Sequence, residues 1–481
     1  MTQRVVVIGA GPAGLSAAYL LAARGASVEL HEAGPEVGGL CRTLDLWGQR
    51  VDLGPHRFFS TDPRVLGLWR DIVGPNYEMV RRMTRIYYDR RFFDYPLEPL
   101  SVLAGLGVWR SLECLASYVW AITRPRRPSL DTFEDWVTAR FGRRLYETFF
   151  KSYSEKLWGI PGDELDADFA VQRIKSLDLW EAVKAAFHRG RDEHRTLLRE
   201  FAYPTGGTGR VYEKLAQMFI ERSGRLFLRS PVARVICDRG KVRGAELNDG
   251  RSIEADAVVS TMPLTLLIER LDGCPGEVRA AAARLTFRNT ILAYLEVEGT
   301  AHFPDNWIYV HSPELRCGRI TNFRNWTPDL CGGRGSTILC LEFWANDDDT
   351  IWQAPNGEVE RLARDELAAT GLAPRAAVLN AHIARIPRSY PVYRRGYQAH
   401  VEVIRRHLAG IRGLHAVGRY GAFKYNNQDH SLLMGILVAR AIAGEPGDDP
   451  WLVNTAHDYQ EAAALPDPGF AAADSRVEPA G

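Results

Sequence analysis

Apolar and polar positions near the N-terminus follow the pattern of a strand, a turn, a helix and a second strand. The apolar run VVVI at 5–8 predicts a buried strand, and the glycine-rich stretch after it predicts a turn that leads into a helix of apolar spacing. A second apolar run then ends in Glu32. This order is the sequence form of a βαβ dinucleotide-binding unit.

Each glycine of this turn has a distinct expected role. Gly9 permits the tight turn, Gly11 lets the backbone approach a pyrophosphate, and Gly14 lets the helix pack close to the strand. The free N–H groups of the helix N-terminus would face the phosphates. Glu32 lies where a carboxylate accepts hydrogen bonds from the adenosine ribose and disfavours a 2′-phosphate.

Strand patterns dominate the second half of the chain. The segments NTILAYLEVEG (289–299), NWIYVH (306–311) and STILCLEFWA (336–345) predict strands of a mostly antiparallel sheet. The segment 227–263 alternates strand and turn signals, and its NDG tripeptide predicts a hairpin. The long apolar stretch 101–123 contains Arg110 and Glu113, which would be costly inside a bilayer, so we expect a buried or groove-lining helix and no integral membrane segment.

Composition limits the classes of function. A chain of 481 residues that is 46% hydrophobic can form two or three domains. Its 60 basic and 59 acidic residues give a net charge of +1, which argues against nucleic acid as a partner and requires a local cluster for any anionic ligand. The seven cysteines are scattered without a CxxC pair, which indicates reduced thiols and no metal site, and the start of the chain shows no signal-peptide pattern. We therefore expect a cytoplasmic protein.

The segment EAGPEVGGLCRT distinguishes between dinucleotides. It carries Glu32, the pair Gly38-Gly39 and then Arg42, and it resembles the FAD fingerprint of the amine oxidase, protoporphyrinogen oxidase and UDP-galactopyranose mutase group. In that group the glycine pair meets the phosphates and the arginine supports the pyrophosphate. The resemblance implies FAD as the cofactor.

Two distant segments are similar to further flavin-binding parts of the same group. The resemblance implies that Val232 lies over the adenine. The segment 413–444, with Gly418 and Asn427, resembles the C-terminal motif in which a helix N-terminus faces the isoalloxazine. Flavin-binding pieces at both ends of the chain imply an FAD domain that is discontinuous in sequence.

Several segments resemble the nucleotide-sugar mutases of this group specifically. Gly54 and His56 match a Gly-Pro-His loop that passes close to the flavin, where a backbone contact and a proton-transfer role for His56 both remain open. The run FFKSYSEKLWG (149–159) matches the family's uridine and sugar-diphosphate surface. Further matching positions are Arg173, Tyr390, Arg419 and Tyr425, to which we add the cations Lys175 and Arg288 as candidate phosphate contacts.

Helical periodicity offers a second interpretation of the run at 149–159. Phe149, Tyr153 and Lys156 share one helix face, and a core helix would show the same spacing. Packing accounts for Phe149, and for Phe150 packing and substrate contact both stay open. Tyr153, Lys156 and Trp158 are the other predicted substrate contacts. Leu177 and Asn427 stand where the mutases have Arg and Asp, and Phe59 stands where they usually have a second His.

The resemblance implies a pyranose/furanose mutase acting on a nucleotide-diphosphate sugar. In that reaction N5 of the reduced flavin is the covalent nucleophile at the anomeric carbon, there is no net redox, and NAD(P)H or another reductant keeps the flavin reduced. His56, Arg173 and Arg419 are the candidate catalytic residues. The alternative is an FAD-dependent oxidoreductase, of the amine oxidase, desaturase or sugar dehydrogenase type, that passes hydride to N5. The intact Gly38-Gly39 pair disfavours a non-catalytic binder.

These patterns together predict an α/β architecture in three parts. A discontinuous Rossmann-like FAD-binding domain comprises 1–60, 205–262 and 410–446, and a helical insertion comprises 99–204. A mostly antiparallel sheet domain for the substrate comprises 61–98 and 263–409, and 465–481 has the composition of a disordered tail. The substrate would lie between helices and sheet, over the flavin, and a homodimer is compatible with this arrangement.

Overall fold

The computed structural model describes residues 2–95, 102, 105–123, 130–169 and 200–454. Arg173, Lys175 and the predicted disordered tail at 465–481 lie outside these residues. The strands are β1 (Arg4–Ile8), β2 (Ser27–His31), β3 (Thr43–Leu46), β4 (Gln49–Asp52), β5 (Tyr77–Arg81), β6 (Thr84–Tyr88), β7 (Arg91–Asp94), β8 (Glu200–Pro204), β9 (Arg225–Phe227), β10 (Val232–Asp238), β11 (Lys241–Leu247), β12 (Ser252–Glu254), β13 (Ala257–Ser260), β14 (Phe287–Glu298), β15 (Trp307–Val310), β16 (Arg319–Asn322), β17 (Ser336–Ala345), β18 (Val378–Pro391) and β19 (Leu414–Ala416).

Helices connect and cover these strands. They are α1 (Pro12–Ala23), α2 (Pro63–Val73), α3 (Val108–Thr123), α4 (Phe133–Phe141), α5 (Arg143–Leu145), α6 (Lys151–Trp158), α7 (Gly209–Glu221), α8 (Leu264–Arg270), α9 (Gly276–Ala282), α10 (Thr350–Gln353), α11 (Asn356–Ala369), α12 (Tyr397–Ala409), α13 (Gly418–Gly421) and α14 (Gln428–Ile442).

A parallel sheet forms the dinucleotide-binding part. Its strand order is β19-β13-β1-β2-β9, and every neighbouring pair is parallel. The valine-rich β1 and β13 are buried almost throughout, which is typical of parallel strands covered on both faces. The strands come from the start, the middle and the end of the chain, so the predicted discontinuous Rossmann-like fold is confirmed.

Helices α1 and α14 pack in very close contact on this sheet. A Cβ atom built on Gly435 of α14 would lie 1.9 Å from Oγ of Ser16 in α1. The Ser16 hydroxyl also donates to the carbonyl of Leu432, at 3.2 Å. The close approach brings the N-terminus of α14 to the same edge of the sheet as the glycine turn after β1.

A seven-stranded sheet forms the second part. Its order is β18-β14-β17-β16-β15-β6-β7, antiparallel except between β15 and β6. The strands predicted at 289–299, 306–311 and 336–345 are β14, β15 and β17, so the mostly antiparallel sheet is confirmed. All ten residues of β17 are buried, which indicates that both faces of the sheet are covered at its centre.

Smaller sheets join the two parts. Strands β10, β11 and β12 form an antiparallel sheet whose last turn contains the predicted NDG hairpin. Strand β8 pairs antiparallel with β5, so residues 200–204, the end of the predicted helical insertion, form a strand instead. The reason is that these residues are mostly apolar and cover the core between the sheets, where Phe201 and Tyr203 are buried.

The helical insertion contains α3 to α6. A side-chain cap begins α4, because the Thr132 hydroxyl accepts the backbone N–H of Asp135 at 3.1 Å. A π-helical turn, Tyr146–Phe150, leads into α6. Helix α6 ends at Gly159 with φ +67°, where a Cβ atom would lie 2.4 Å from Nη1 of Arg288.

Helix α3 differs from the expected buried or groove-lining helix. Cys114 and Tyr118 face the protein, but the opposite face exposes large apolar side chains, with Trp109 82% and Trp120 56% exposed. Only the narrow side of α3 packs against the insertion. Among the described residues, no helix is long and apolar enough to cross a membrane.

Candidate functional site

A cavity of about 480 Å³ lies between the parallel sheet and the seven-stranded sheet. It extends from the glycine turn after β1 to aromatic side chains of β15 and β18. The structure places many of the predicted site residues on its wall. They are Gly9, Gly11, Glu32, Gly39, Gly54, His56, Val232, Tyr390, Gly418, Arg419, Tyr425 and Asn427.

The glycine turn forms a cradle that side chains would fill. Gly9 has φ +95°, and a Cβ atom there would lie 2.2 Å from Oγ1 of Thr261. Gly39 has φ +58°, and its Cβ atom would lie 3.2 Å from Cα of Gly11. A Cβ atom on Gly14 would lie 1.9 Å from the Gly9 carbonyl oxygen, so α1 packs directly on the turn. The backbone is thus bare where a pyrophosphate would lie, and the site fits a dinucleotide.

Glu32 is held beside the glycine turn by two backbone N–H groups. One carboxylate oxygen accepts the backbone N–H of Ala10 at 2.7 Å, and the other accepts that of Gly34 at 2.7 Å. Each oxygen keeps a second acceptor position, so the carboxylate can still accept ribose hydroxyls. Val232 lies on the same part of the wall and is buried.

Gly38 and Arg42 support the wall from behind. The Gly38 N–H donates to the carbonyl of Ala10 at 2.8 Å, and Nε of Arg42 donates to the carbonyl of Gly39 at 3.0 Å. Neither Gly38 nor Arg42 lines the cavity. They fix the second glycine loop against the first.

His56 lies where the two parts of the protein meet. Its carbonyl accepts hydrogen bonds from Oγ1 of Thr208 at 3.0 Å and Nε2 of Gln428 at 3.4 Å. Burial, and then the guanidinium groups of Arg319 and Arg419, lower the pKa of the imidazole to about 4. Nδ1 is buried without a hydrogen-bond partner among the described residues. The ring is therefore neutral at neutral pH and can form one more hydrogen bond.

The N-terminus of α14 faces the cavity. Asn427 caps this helix, and its backbone N–H donates to Nδ1 of His430 at 3.1 Å. Asn427 and Gln428 both line the wall, so the positive end of the helix dipole points into the cavity. Gly418 has φ +86°, and a Cβ atom there would lie 3.0 Å from Cβ of Ala13.

Arg419 is fixed between two tyrosine rings. Its guanidinium carbon lies 4.7 Å from the ring centroid of Tyr390 and 4.5 Å from that of Tyr425. Nε donates to the carbonyl of Ser389 at 3.0 Å, and Nη1 donates to that of Asn426 at 2.7 Å. Two backbone bonds and two cation–π contacts hold the charge in a single orientation on the wall.

A buried ion pair on the wall is absent from the sequence-based prediction. Nε and Nη2 of Arg319 donate to the two carboxylate oxygens of Glu342, at 2.6 and 2.5 Å. Both residues line the cavity, together with Trp307 and Tyr309. The signal for this pair was available, because Glu342 stands inside the otherwise apolar strand STILCLEFWA and a buried carboxylate needs a partner.

Lys156 and Arg288 lie behind the wall rather than on it. The ammonium group of Lys156 donates to the carbonyls of Val310, Ser312 and Cys317, at 3.0, 2.7 and 3.3 Å, and burial lowers its pKa to about 8. Arg288 is buried and donates to three backbone carbonyls, including that of Lys156 at 3.0 Å, and to Asp349 at 3.2 Å. Carbonyl groups of the protein thus occupy the donors that we expected to bind phosphate.

The aromatic members of the run at 149–159 also pack within the protein. Trp158 is 0% exposed and lies 4.7 Å from the ring of Phe169. Phe150 stacks on Phe141 at 5.6 Å. Tyr153 stacks on His311 at 4.6 Å, immediately behind Tyr309 of the cavity wall. The predicted substrate contacts of these residues therefore have no counterpart on the cavity surface among the described residues.

Comparisons with known proteins identify the family of the fold and the cofactor. The family model described as flavin containing amine oxidoreductase matches residues 12–443. In structure, the chain is similar to reduced UDP-galactopyranose mutase, with a TM-score of 0.81, 23% identity, and coverage of 94% of this chain and 99% of that one. It is also similar to putrescine oxidase bound to putrescine, with a TM-score of 0.63, 17% identity, and coverage of 92% and 100%.

Sequence relatives carry the names of oxidoreductases. The chain is 26% identical to coproporphyrinogen III oxidase of Mycobacterium bovis over 441 residues, which cover 85% of this chain and 91% of that protein. It is 27% identical to the zeta-carotene-forming phytoene desaturase of Myxococcus xanthus over 294 residues, which cover 56% and 55%. The resemblance drawn from the sequence motifs is confirmed at the level of this superfamily.

Proposed function

Because the chain belongs to the flavin-containing amine oxidoreductase family and FAD is its cofactor, we propose that it is a mutase that interconverts the pyranose and furanose forms of a nucleotide-diphosphate sugar. The observation that carries the proposal is the guanidinium of Arg419, fixed on the cavity wall between Tyr390 and Tyr425. A fixed cation with neighbouring hydroxyls suits a diphosphate that leaves the anomeric carbon and returns to it. The structural similarity to UDP-galactopyranose mutase supports the same assignment.

FAD, when bound, supplies a nucleophilic N5 in its reduced form and a hydride acceptor in its oxidised form. The residues that would hold it are the glycine cradle with Gly9 and Gly39, the carboxylate of Glu32, and the N-terminus of α14 at Asn427. An external reductant such as NAD(P)H would keep the cofactor reduced in the mutase.

Arg419 would act on the leaving group. Its Nε and Nη1 are used by the carbonyls of Ser389 and Asn426, which leaves Nη2 for a phosphate oxygen. The rings on either side prevent the guanidinium from turning away, so the charge needs no reorganisation when the diphosphate develops negative charge. Tyr390 and Tyr425 line the same cavity, and their hydroxyl groups would be further donors to the diphosphate.

The acid–base groups of the wall agree with this chemistry. His56 has a pKa of about 4 and stays neutral at neutral pH, so it would donate or accept a hydrogen bond through Nδ1 rather than carry charge. Glu342 is committed to Arg319 through both oxygens. The isomerisation breaks and re-forms the same bond to the diphosphate, and it needs fixed positive charge more than a strong base.

A second candidate is an FAD-dependent oxidoreductase that passes hydride from the substrate to N5, of the amine oxidase, desaturase or sugar dehydrogenase type. The observation that favours it is the naming of the sequence relatives, which include a coproporphyrinogen III oxidase and a phytoene desaturase. The aromatic wall formed by Trp307, Tyr309, Tyr390 and Tyr425 would suit a flat or apolar substrate.

The test uses the purified FAD-loaded protein with a panel of nucleotide-diphosphate hexoses. We expect a ring-contracted product, separated by chromatography, only after reduction with dithionite, and no oxygen consumption. The variant Arg419→Lys keeps a charge but loses the planar fork, and it should lower kcat by about 10²-fold. The matched control is Arg239→Lys, because that side chain is 92% exposed and remote from the cavity wall.

Two results would count against the proposal, the first against the mutase and the second against the role of Arg419. One is oxidative turnover of a substrate without added reductant, which would establish the oxidoreductase instead. The other is turnover of nucleotide sugars at an unchanged rate by Arg419→Lys, which would show that the guanidinium takes no part in the reaction.

A further inference from the structure

The connection between β15 and β16 carries part of the cavity wall. It comprises residues 311–318, so it begins two residues after Tyr309 and ends immediately before Arg319. The side chains of Tyr309 and Arg319 both line the cavity. The position of the connection therefore determines where a tyrosine ring and a guanidinium group stand on the wall.

This connection is buried at both of its ends. The side chains of His311, Ser312 and Cys317 are each at most 8% exposed. A buried segment between two strands has backbone polar groups that need hydrogen-bond partners from elsewhere in the protein. The structure supplies one charged side chain for the carbonyl groups and another for the N–H groups.

Lys156 is the partner of the carbonyl groups. Its ammonium group donates to the carbonyls of Val310 and Ser312 at 3.0 and 2.7 Å, where the connection begins. It also donates to the carbonyl of Cys317 at 3.3 Å, where the connection ends. An ammonium group has three N–H donors, and this arrangement uses all three. One side chain thus joins both ends of the connection.

Glu366 is the partner of the N–H groups. This buried residue of α11 accepts the backbone N–H of Arg316 at 2.7 Å and that of Cys317 at 2.8 Å. Charged groups form stronger hydrogen bonds with the backbone than neutral groups do. The connection is therefore held between a cation of α6 and an anion of α11.

A second cation ties α6 to the same sheet in the opposite direction. Arg288 of β14 donates to the carbonyls of Lys156 and Leu157 in α6, at 3.0 and 3.3 Å. It also donates to the carbonyl of Trp344 in β17, at 2.9 Å. Helix α6 belongs to the helical insertion, so the two cations join the insertion to the seven-stranded sheet beside the cavity wall.

The charge of Lys156 is costly to bury at this position. Burial lowers the pKa of its ammonium group to about 8, and the group still carries its proton at neutral pH. A methionine side chain would avoid the cost of desolvating a charge, but it would leave the three carbonyls without these donors. What the lysine adds is therefore the fixed position of the connection.

We propose that Lys156 is a positioning residue of the cavity, whose ammonium group fixes the connection between β15 and β16 and with it Tyr309 and Arg319 on the wall. The consequence for ligand binding rests on the proposed function, because it assumes that the cavity holds a nucleotide diphosphate. The fixing of the wall itself does not depend on that assumption.

The first experiment measures backbone hydrogen exchange of the FAD-loaded protein by mass spectrometry. We expect Lys156→Met to speed the exchange of residues 309–319 by at least about tenfold, because the connection opens more often without its donors. The matched control is Lys151→Met, which makes the same substitution on α6 at an exposed position. Its exchange should equal that of the wild-type protein.

The second experiment measures the Kd of UDP by calorimetry. Lys156→Met with a normal FAD content should bind UDP about tenfold more weakly, whereas Lys151→Met should bind it normally. A role confined to stability would lower the melting temperature and leave the Kd unchanged. In the background Arg319→Met/Glu342→Leu, the further change Lys156→Met should alter the Kd by less than about twofold, because the guanidinium that it positions is already absent.

Two results would overturn the proposal. One is exchange of residues 309–319 in Lys156→Met at the rate of the control, and the other is an unchanged Kd of UDP in that variant. If the wild-type protein does not bind UDP, the mutase proposal fails, and hydrogen exchange alone decides whether Lys156 fixes the wall. If Lys156→Met loses FAD, Lys156→Gln takes its place; it keeps two N–H donors without the charge and should show a smaller increase in exchange over the same residues.

Discussion

Trp158→Ala tests whether the run at 149–159 is core or substrate surface. Trp158 is 0% exposed, and its ring lies 4.7 Å from Phe169 and 6.1 Å from Tyr393. A buried aromatic side chain of about 200 Å², at about 25 cal/mol per Å², contributes about 5 kcal/mol. Measured losses for Trp→Ala in protein cores are about 3–5 kcal/mol, which is the range that we expect for the free energy of unfolding here.

The assay is thermal unfolding of the FAD-loaded protein, followed by the fluorescence of released flavin. At roughly 2 °C per kcal/mol, the melting temperature of Trp158→Ala should fall by roughly 6–10 °C. Trp109→Ala removes the same side chain from a position that is 82% exposed, and its melting temperature should change by about 1 °C at most. Trp158→Phe keeps an aromatic ring and should recover most of the loss.

The opposite pattern would refute this reasoning. If Trp158→Ala melts like the wild-type protein, retains FAD and only raises KM for the substrate, then the indole contacts substrate in a conformation other than the one described. The 0% exposure of the side chain leads us to expect the first pattern instead.

Three further predictions concern the cavity. Gly9→Ala should abolish FAD retention on gel filtration, since its Cβ atom would lie 2.2 Å from Oγ1 of Thr261 at φ +95°, and a normal flavin content would contradict the cradle. Arg319→Met should lower the free energy of unfolding by about 3–5 kcal/mol in urea titrations, because it leaves the Glu342 carboxylate buried without its partner. The double variant Arg319→Met/Glu342→Leu should lower the free energy of unfolding by less, and equal losses in the two variants would contradict the paired geometry. The pKa of His56 is lowered to about 4, so its contribution to stability is complete above pH 6.5 and is lost as the pH falls to about 4. The melting temperature of the wild-type protein should therefore approach that of His56→Asn as the pH falls over that interval. Melting temperatures of the two proteins that stay a constant distance apart across the interval would contradict this prediction.

Local motifs were the predictable part of the site. Gly9, Gly11 and Glu32 lie on the cavity wall, as their spacing within one βαβ unit predicts, and Gly39 lies there too, as the family resemblance implies. Their positions depend on short-range geometry, because a turn that needs positive φ and close helix packing tolerates few residues other than glycine. The strands of the antiparallel sheet were equally evident from their apolar runs.

The part of the cavity wall formed by the seven-stranded sheet depended on long-range packing. Arg319 and Glu342 lie on neighbouring strands, β16 and β17, and their ion pair exists only once the strands are in register. Lys156 carries the charge of a phosphate ligand, but backbone carbonyls at the end of β15 and in the loop after it accept its three donors. Residue type alone cannot indicate which acceptor a lysine will meet.

The sequence by itself determined the fold class and the dinucleotide cradle, because these depend on closely spaced glycines and on apolar periodicity that act locally. FAD followed from the family resemblance of the segment with Gly38, Gly39 and Arg42. Only the tertiary structure decided which side of each element faces the cavity and which faces solvent. Helix α6 turns the ammonium group of Lys156 towards backbone carbonyls, and α3 leaves large apolar side chains exposed, with Trp109 82% exposed. Periodicity identifies a helix face, but the elements packed around the helix determine what that face contacts.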